Sequence, residues 1–270
     1  MDNWRLLISP PARGAWNMAV DEVLLDATVR GDSLPTIRLY SWEPACLSLG
    51  YAQKVKDVDL DLLAKYGWEL VRRVTGGRAI LHTDEITYSV LAPLTEPRVA
   101  GTVLESYQRI AEALIMAVRF LDIPVEMVTE VDTTRSAKGP VCFEVPSAYE
   151  LTVDGKKLIG SAQSRRKEGF LQHGAFPLYG DLRRITHALA YDDETLRAES
   201  GEKVLTRATN AEMVLGKKLD WDSVAKVMVK AFEEKLDISL VPSKLSEEES
   251  AKIDELVTTK YAAWEWTGRF

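Results

Sequence analysis

The chain has 270 residues, 46% of them hydrophobic and 28% charged, which is enough to bury a large core without disulfide staples and excludes a disordered chain. A formal net charge of −7 makes the chain a poor candidate for general nucleic-acid binding, because phosphate neutralisation needs a basic surface, and says nothing against a local basic patch. The two cysteines, Cys46 and Cys142, lie far apart, which excludes a disulfide framework or a zinc-ligand cluster and fits a reducing, cytoplasmic address.

In chain order, residues 4–9 read as a first strand, and the short apolar run there is unlike a signal peptide. Residues 15–29 carry apolar side chains at helical spacing and stop at Gly31. Residues 35–42 alternate like a half-buried strand, and 45–49 continue in extended form. A helix is expected over 58–67, then two short strands, 69–74 and 78–82, on either side of Thr75-Gly76-Gly77, and another strand over 86–91. Residues 101–121 are the longest helical pattern, and a looser stretch follows over 130–140. Two alternating runs, 149–153 and 156–163, flank Asp154-Gly155, a strong hairpin signal. Residues 170–178 add a strand. From about 180 the pattern is mainly helical, notably over 223–236 and 246–259. No stretch approaches the roughly 20 apolar residues of a membrane helix. Strands and helices mix without regular alternation, so the expected fold is α/β, a mixed β-sheet flanked by helices, in one domain spanning 1–270.

Few residues point to chemistry by themselves. In RRVTGGRAILH, residues 72–82, Gly76 and Gly77 would let a ligand approach the main chain, and Arg72 and Arg73 suit an anion. The segment is neither a P-loop nor a dinucleotide fingerprint, and its plainer reading is a tight hairpin with solvated arginines. A two-residue turn at Asp154-Gly155 sets Val153 opposite Lys156 and Thr152 opposite Lys157. Period-two alternation then puts Lys157 on the face opposite Leu151, Val153 and Leu158, where a lysine is ordinarily solvated. A one-residue slip would exchange the faces. Cys142, in GPVCFEVPS, has Arg135, Lys138, Lys156 and Lys157 nearby in sequence, cations that would favour a thiolate. Its plainer reading is an inert buried thiol, and Cys46, in an apolar run, is expected to be structural. His82 and His173 are each a base or a hydrogen-bonded structural histidine.

Taken together, RRVTGGRAILHTDEITYSV, GPVCFEVPSAYELTVDGKKLIGSAQSRR and LQHGAFPL, preceded by NMAVDEVLL and RLYSWEPACLSLGYAQ, resemble the biotin/lipoate protein ligase superfamily. The five ordered segments run from about residue 4 to 178. Within that superfamily the chain looks most like the LipM-type octanoyltransferases, whose cysteine lies in a context like CFEVPSAYEL ahead of a GKK hairpin. Adenylating lipoate ligases have an Asn-Asp pair there, and amidotransferases a Cys-Pro-Gly-like context.

The resemblance implies a biotin/lipoyl protein ligase-like catalytic domain. It implies that Cys142 is the nucleophile and that Lys157 contacts the acyl carbonyl. It implies further that Arg72, Arg73, Gly76, Gly77 and His82 line the acyl pocket and its mouth, with Gly160, Ser161 and Ala162 against the chain. The implied donor is octanoyl-acyl carrier protein and the implied acceptor a lipoyl domain or the glycine-cleavage H protein. No ATP or metal cofactor, no nucleic acid and no membrane are implied, and a monomer is expected. The rivals are an ATP-dependent lipoate ligase, an amidotransferase between carrier proteins, and a non-catalytic carrier-binding protein. Carriers of this kind are acidic, so docking would call on a basic rim drawn from Arg72, Arg73, Arg78, Lys138, Lys156, Arg165, Arg166 and Lys167.

Overall fold

The computed structural model describes residues 1–128, 150–166 and 168–270. Among these, eight strands form one sheet: β1 (Asp2–Ile8), β2 (Thr36–Tyr40), β6 (Glu85–Pro93), β7 (Glu126–Val128), β8 (Glu150–Val153), β9 (Lys156–Arg166), β10 (Gly169–Pro177) and β11 (Ile238–Pro242). Their order is β11-β1-β2-β6-β10-β9-β8-β7. The β11-β1-β2 edge is parallel, and every other pairing is antiparallel. A second sheet holds β3 (Cys46–Leu49), β4 (Glu69–Arg72) and β5 (Ile80–His82) in the order β4-β3-β5.

The large sheet is covered on both faces, and period-two alternation sorts its side chains between two cores. Ile37, Leu39, Tyr88 and Val90 pack under α3 (Val103–Phe120) and α6 (Trp221–Leu236), against Ile110, Leu114, Met228 and Phe232. Tyr40, Leu91 and Leu171 face the other way, toward Val20 and Leu24 of α1 (Gly14–Arg30) and Ile253 of α7 (Glu247–Leu256). Full burial of each such side chain stabilises the fold by about 1.5–3 kcal/mol. The helix starts are set locally: Thr102 and Glu105 close a capping box on α3, and Asp220 caps α6. A third core lies under the small sheet, where Leu47, Leu49 and Ile80 meet Ile185 and Leu189, together with Val204 from α4 (Glu194–Arg207).

The mixed sheet flanked by helices is as expected from the sequence. Two local expectations are corrected. The strands on either side of Thr75-Gly76-Gly77 do not form a hairpin: β3 lies between them, parallel to β4 and antiparallel to β5. The mainly helical C-terminal part also contains β11, a five-residue strand that extends the sheet beyond β1. The looser stretch expected over 130–140 lies outside the described residues.

Candidate active site

The β8–β9 hairpin turns where the sequence places it. Asp154 and Gly155 both have positive φ, 50° and 72°, the geometry of a two-residue turn that follows the strand twist. Val153 pairs with Lys156 and Thr152 with Lys157, but Leu151 pairs with Ile159, so β9 carries one extra residue at Leu158. The bulge leaves the predicted register intact only at the tip. Lys157 is 5% exposed, not solvated, and its Nζ donates to Glu150 Oε1 at 2.6 Å. The chain just after α4 covers this face: Thr209 N–H donates to the Lys157 carbonyl at 3.0 Å, beside a bridge between Lys157 and Ala208.

Beyond the bulge, β9 and β10 form one wall of a narrow, mostly apolar cavity. Gly160, Ser161 and Ala162 line it from β9, and His173, Gly174 and Ala175 from β10. Ile80 and His82 of β5, and Arg73 and Gly77 of the segment between β4 and β5, line it from the other side, together with Tyr40 and Trp42. Gly174 is required by close approach: a Cβ there would stand 2.6 Å from Gly160 O, Ser161 Oγ and Tyr88 Cε1. The Tyr88 hydroxyl and Ser161 Oγ share a 2.7 Å hydrogen bond across the same wall.

Two histidines meet this cavity, and each lies between a carboxylate and a hydroxyl. His82 Nδ1 lies 2.6 Å from Glu85 Oε1, and its Nε2 lies 2.7 Å from Ser48 Oγ. A carboxylate only accepts, so Nδ1 carries a proton toward Glu85, and Nε2 pairs with the Ser48 hydroxyl. Ser48 Oγ in turn accepts from Arg73 Nη1 at 2.9 Å, and the His82 ring stacks on Trp42 with centroids 3.9 Å apart. His173 mirrors the arrangement on β10. Its Nδ1 faces Asp21 Oδ2 at a long 3.5 Å, and its Nε2 lies 2.6 Å from Thr75 Oγ1 of the Thr-Gly-Gly segment.

Asp21 is the hub of the second set. Arg38 Nη1 donates to it at 2.8 Å, Ser89 at 2.8 Å and Tyr40 at 3.1 Å. Burial pushes the Asp21 carboxyl up, but Arg38 and the hydrogen bond from His173 pull harder, and it ends below the usual carboxylate range. Burial holds His173 below the usual imidazole range despite Asp21, so it is a neutral group at neutral pH. The sequence reading missed Asp21, Ser48, Thr75, Glu85 and Glu150. An Asp on the otherwise apolar face of NMAVDEVLL was the one available signal for Asp21, since a buried carboxylate demands partners.

The other expected residues divide. Arg73 lines the cavity and also donates to the carbonyls of Ser48, Gly76 and Arg78 at 2.9, 3.0 and 2.7 Å. Arg72 is not among the lining residues: its guanidinium points the other way and donates to the carbonyls of Gly50, Gln53 and Thr267 at 2.9, 2.6 and 2.7 Å. Lys157 is not among the lining residues either. Gly76 borders not the cavity but an open groove beside it, which Gly77 shares. Cys142, Arg135, Lys138 and Lys167 lie outside the described residues. Cys46 is fully buried, and burial, with Glu69 and Glu85 nearby, pushes its thiol well up, which disfavours a thiolate.

The groove is lined by Tyr51–Lys54, Gly76–Arg78 and Gln163–Arg166 among others. It narrows the expected basic rim. Arg72 and Arg73 are buried and serve internal carbonyls, and Arg165 is tied to the carbonyls of Val99, Gly101 and Thr102. Arg166 is exposed and stacks on Tyr51, 4.2 Å from the ring centroid. Among the described residues, no group of three or more His, Cys, Asp or Glu side chains is arranged to hold a metal ion, and no helix is long and apolar enough to cross a membrane.

Residues 13–233 match the model of the lipoyl protein ligase A/B catalytic domain. The chain is 37% identical over 275 residues to octanoyltransferase LipM of Brevibacillus brevis, covering 100% of both chains. It is 36% identical over 271 residues to octanoyltransferase LipM of Bacillus subtilis, covering 98% of both. Among solved structures it resembles a bi-partite lipoate protein ligase from Thermoplasma acidophilum, with a TM-score of 0.83, 25% identity and coverage of 100% and 98%. A lipoate-protein ligase A bound with ATP shares the fold at a TM-score of 0.81 and 24% identity, with both chains fully covered.

Proposed function

The chain belongs to the lipoyl protein ligase A/B catalytic-domain family, and from that premise we propose that it transfers octanoyl from acyl carrier protein, through a thioester on Cys142, to the lysine of a lipoyl-carrier protein. Full-length octanoyltransferase relatives make it an acyltransferase of lipoate biosynthesis. The donor, the covalent intermediate and the acceptor are this proposal's own content.

The observation that carries the reading is the narrow apolar cavity between β9, β10 and the Thr-Gly-Gly segment, with a basic groove beside it that shares Gly77 in its lining. Small residues at 160–162 leave room for an unbranched acyl chain, and the groove leaves room for its carrier. In the first step the Cys142 thiolate adds to the octanoyl thioester carbonyl. The tetrahedral oxyanion collapses, the carrier's C–S bond breaks, and the carrier thiolate leaves and takes up a proton. In the second step the neutral amine of the acceptor lysine adds to the Cys142 thioester and loses a proton, and Cys142 departs as thiolate. The first step exchanges one thioester for another, and the second forms the more stable amide. The thioester thus supplies the activation, and neither nucleotide nor metal enters. Splitting the reaction at a covalent intermediate gives ping-pong kinetics.

Lys157 is assigned to the developing oxyanion, where a well-placed donor contributes about 3–4 kcal/mol. The buried Glu150 carboxylate fixes its position. His82 and His173, each oriented by a carboxylate, are candidates to relay the protons of the two steps.

The test is intact-protein mass after mixing with octanoyl-acyl carrier protein, without ATP, for the native chain and Cys142→Ser. The expected result is a hydroxylamine-sensitive gain of one octanoyl group, absent from the variant. Acylation of a lipoyl domain only with free octanoate or lipoate and Mg-ATP would overturn the proposal in favour of a ligase.

A further inference from the structure

We propose that Ser48, His82 and Glu85 form a second nucleophilic site in the cavity, one that hydrolyses carboxylic esters and thioesters of uncharged acyl groups through an acyl-enzyme on Ser48. It stands apart from transfer through Cys142.

The first argument is geometry. Ser48 Oγ lies 2.7 Å from His82 Nε2, and His82 Nδ1 lies 2.6 Å from Glu85 Oε1. A hydroxyl, a base within reach of it and a carboxylate that orients the base are the three parts of an activated serine. Nδ1 keeps its proton toward Glu85, so in the neutral ring Nε2 is the acceptor for the Ser48 proton. Each part stands on a strand: Ser48 on β3, His82 at the end of β5 and Glu85 at the start of β6. Cys46 pairs with His82 and Ser48 with Ile80, which puts Ser48 and His82 on one face of the small sheet as diagonal neighbours.

The second argument is preorganisation. Thr87 Oγ1 donates to the same Glu85 oxygen at 2.6 Å and accepts from Trp42 Nε1 at 2.8 Å. The Trp42 ring in turn stacks on the His82 ring, 10° from parallel. The imidazole is thus fixed by its edge and by its face, and Nε2 cannot swing away from Ser48. The hydroxyl–histidine–carboxylate set at Thr75 and His173 lacks this: its carboxylate stands 3.5 Å from the ring and is shared with Arg38, Ser89 and Tyr40.

The third argument is charge and access. Arg73 Nη1 donates to Ser48 Oγ at 2.9 Å, so a cation stands beside the atom that would become nucleophilic and beside the oxyanion its attack would form. The other titratable groups about His82 are His173, which also lines the cavity, and the fully buried Cys46. Ser48 is closed off from bulk solvent but lines the cavity together with His82 and Arg73, across from the small residues Gly160, Ala162 and Ala175. An acyl group in that mostly apolar space meets the serine.

The reaction has two steps. Ser48 Oγ bonds to the acyl carbon as its proton passes to His82 Nε2. The bond from that carbon to the leaving oxygen or sulfur then breaks, and the alcohol or thiol departs with the proton. Water next adds to the Ser48 ester and gives a proton to Nε2. The C–O bond to Ser48 breaks, Oγ recovers the proton, and the carboxylic acid is released.

The experiment is read in a Cys142→Ala background, so that turnover through the proposed transfer nucleophile does not contribute. Ethyl octylfluorophosphonate is expected to add one alkylphosphonyl group to Ser48, located by peptide mapping, with loss of fluoride. Hydrolysis of para-nitrophenyl butanoate is expected to vanish in Ser48→Ala and to lose roughly 10²- to 10⁴-fold in kcat in His82→Gln, with circular dichroism confirming that each variant folds. Glu85→Gln is expected to lower kcat with KM little changed, because the carboxylate touches the imidazole and not the ester. A change in KM as large as that in kcat would take the orienting role from Glu85. No adduct on Ser48, or hydrolysis undiminished in Ser48→Ala, overturns the site and leaves the hydrogen-bond chain a structural one. Octanoyl transfer, read separately in the native chain, stands or falls independently of either result.

Discussion

The Lys157 ammonium and the Glu150 carboxylate meet at 2.6 Å on the β8–β9 hairpin, and both side chains are buried. Removing one partner of such a pair takes a buried counter-charge away from the other. Glu150→Ala is expected to cost about 3 kcal/mol in urea denaturation, and the apolar pair Glu150→Leu/Lys157→Met distinctly less. If Glu150→Ala changed stability by under about 0.5 kcal/mol, the range of an ordinary surface change, the pair would have no structural role.

Stability is expected to fall with acid in two stages. The His173 imidazole is held below its ordinary 6.5 in the folded chain, so the unfolded chain binds its proton first. Its contribution is full above pH 6.5 and is lost as pH falls from there toward the depressed folded value. Asp21, held below 3.8, acts in the same direction: its contribution is present above 3.8 and lost below it as the carboxylate protonates. Thermal melting from pH 7.5 to 4.5 checks the first stage. Replacing His173 with Gln, which cannot titrate, should flatten the slope just below pH 6.5. An unchanged slope would assign that stage to another group.

Ala162 lines the cavity from β9. Ala162→Leu adds methyl and methylene bulk where the proposed function puts the octanoyl chain. The expected outcome is a fall of roughly 10- to 200-fold in kcat/KM for octanoyl, with a much smaller fall for butanoyl, as a pocket discriminates by about 1–3 kcal/mol per methylene. Parallel losses for both donors would place the chain elsewhere.

Arg72 ties the C-terminal residues to the start of the groove. Its guanidinium donates twice to Thr267 O and also to Gly50 O and Gln53 O, while Trp266 Nε1 donates back to Arg72 O at 2.8 Å. A lysine keeps the charge but cannot reproduce the fork. Arg72→Lys is expected to lose about 2–3 kcal/mol of stability and to speed proteolysis near residues 264–270. Native-like stability with a specific loss of acyl binding would instead return Arg72 to the pocket role that the family resemblance implies.

How much of this was legible beforehand depended on distance along the chain. The Asp154-Gly155 turn and its first two pairs could be read because turn chemistry is local, with both residues at positive φ. The bulge at Leu158 could not, and with it went the faces of the hairpin. Lys157 reads as a tip lysine in water, but a segment some fifty residues on, near Ala208, covers it. Arg72 and Arg73 look equivalent as a pair, yet strand alternation sends Arg73 to the cavity and Arg72 to Thr267, nearly two hundred residues away. The Thr-Gly-Gly segment reads as a hairpin between neighbours, whereas β3 comes between its strands from earlier in the chain.

The sequence by itself therefore determined the mixed α/β character, the family and the segments that surround the site, because periodicity, turn residues and ordered motifs are properties of the linear chain. Only the tertiary structure decided which side chains meet, Asp21 with His173, Ser48 with His82 and Glu150 with Lys157, and that the groove and the cavity share Gly77 in their linings. Each of the two histidine sets joins separate strands or a strand and a helix, and burial then makes those pairings obligatory, since a polar group removed from water must find its partner wherever the fold brings one.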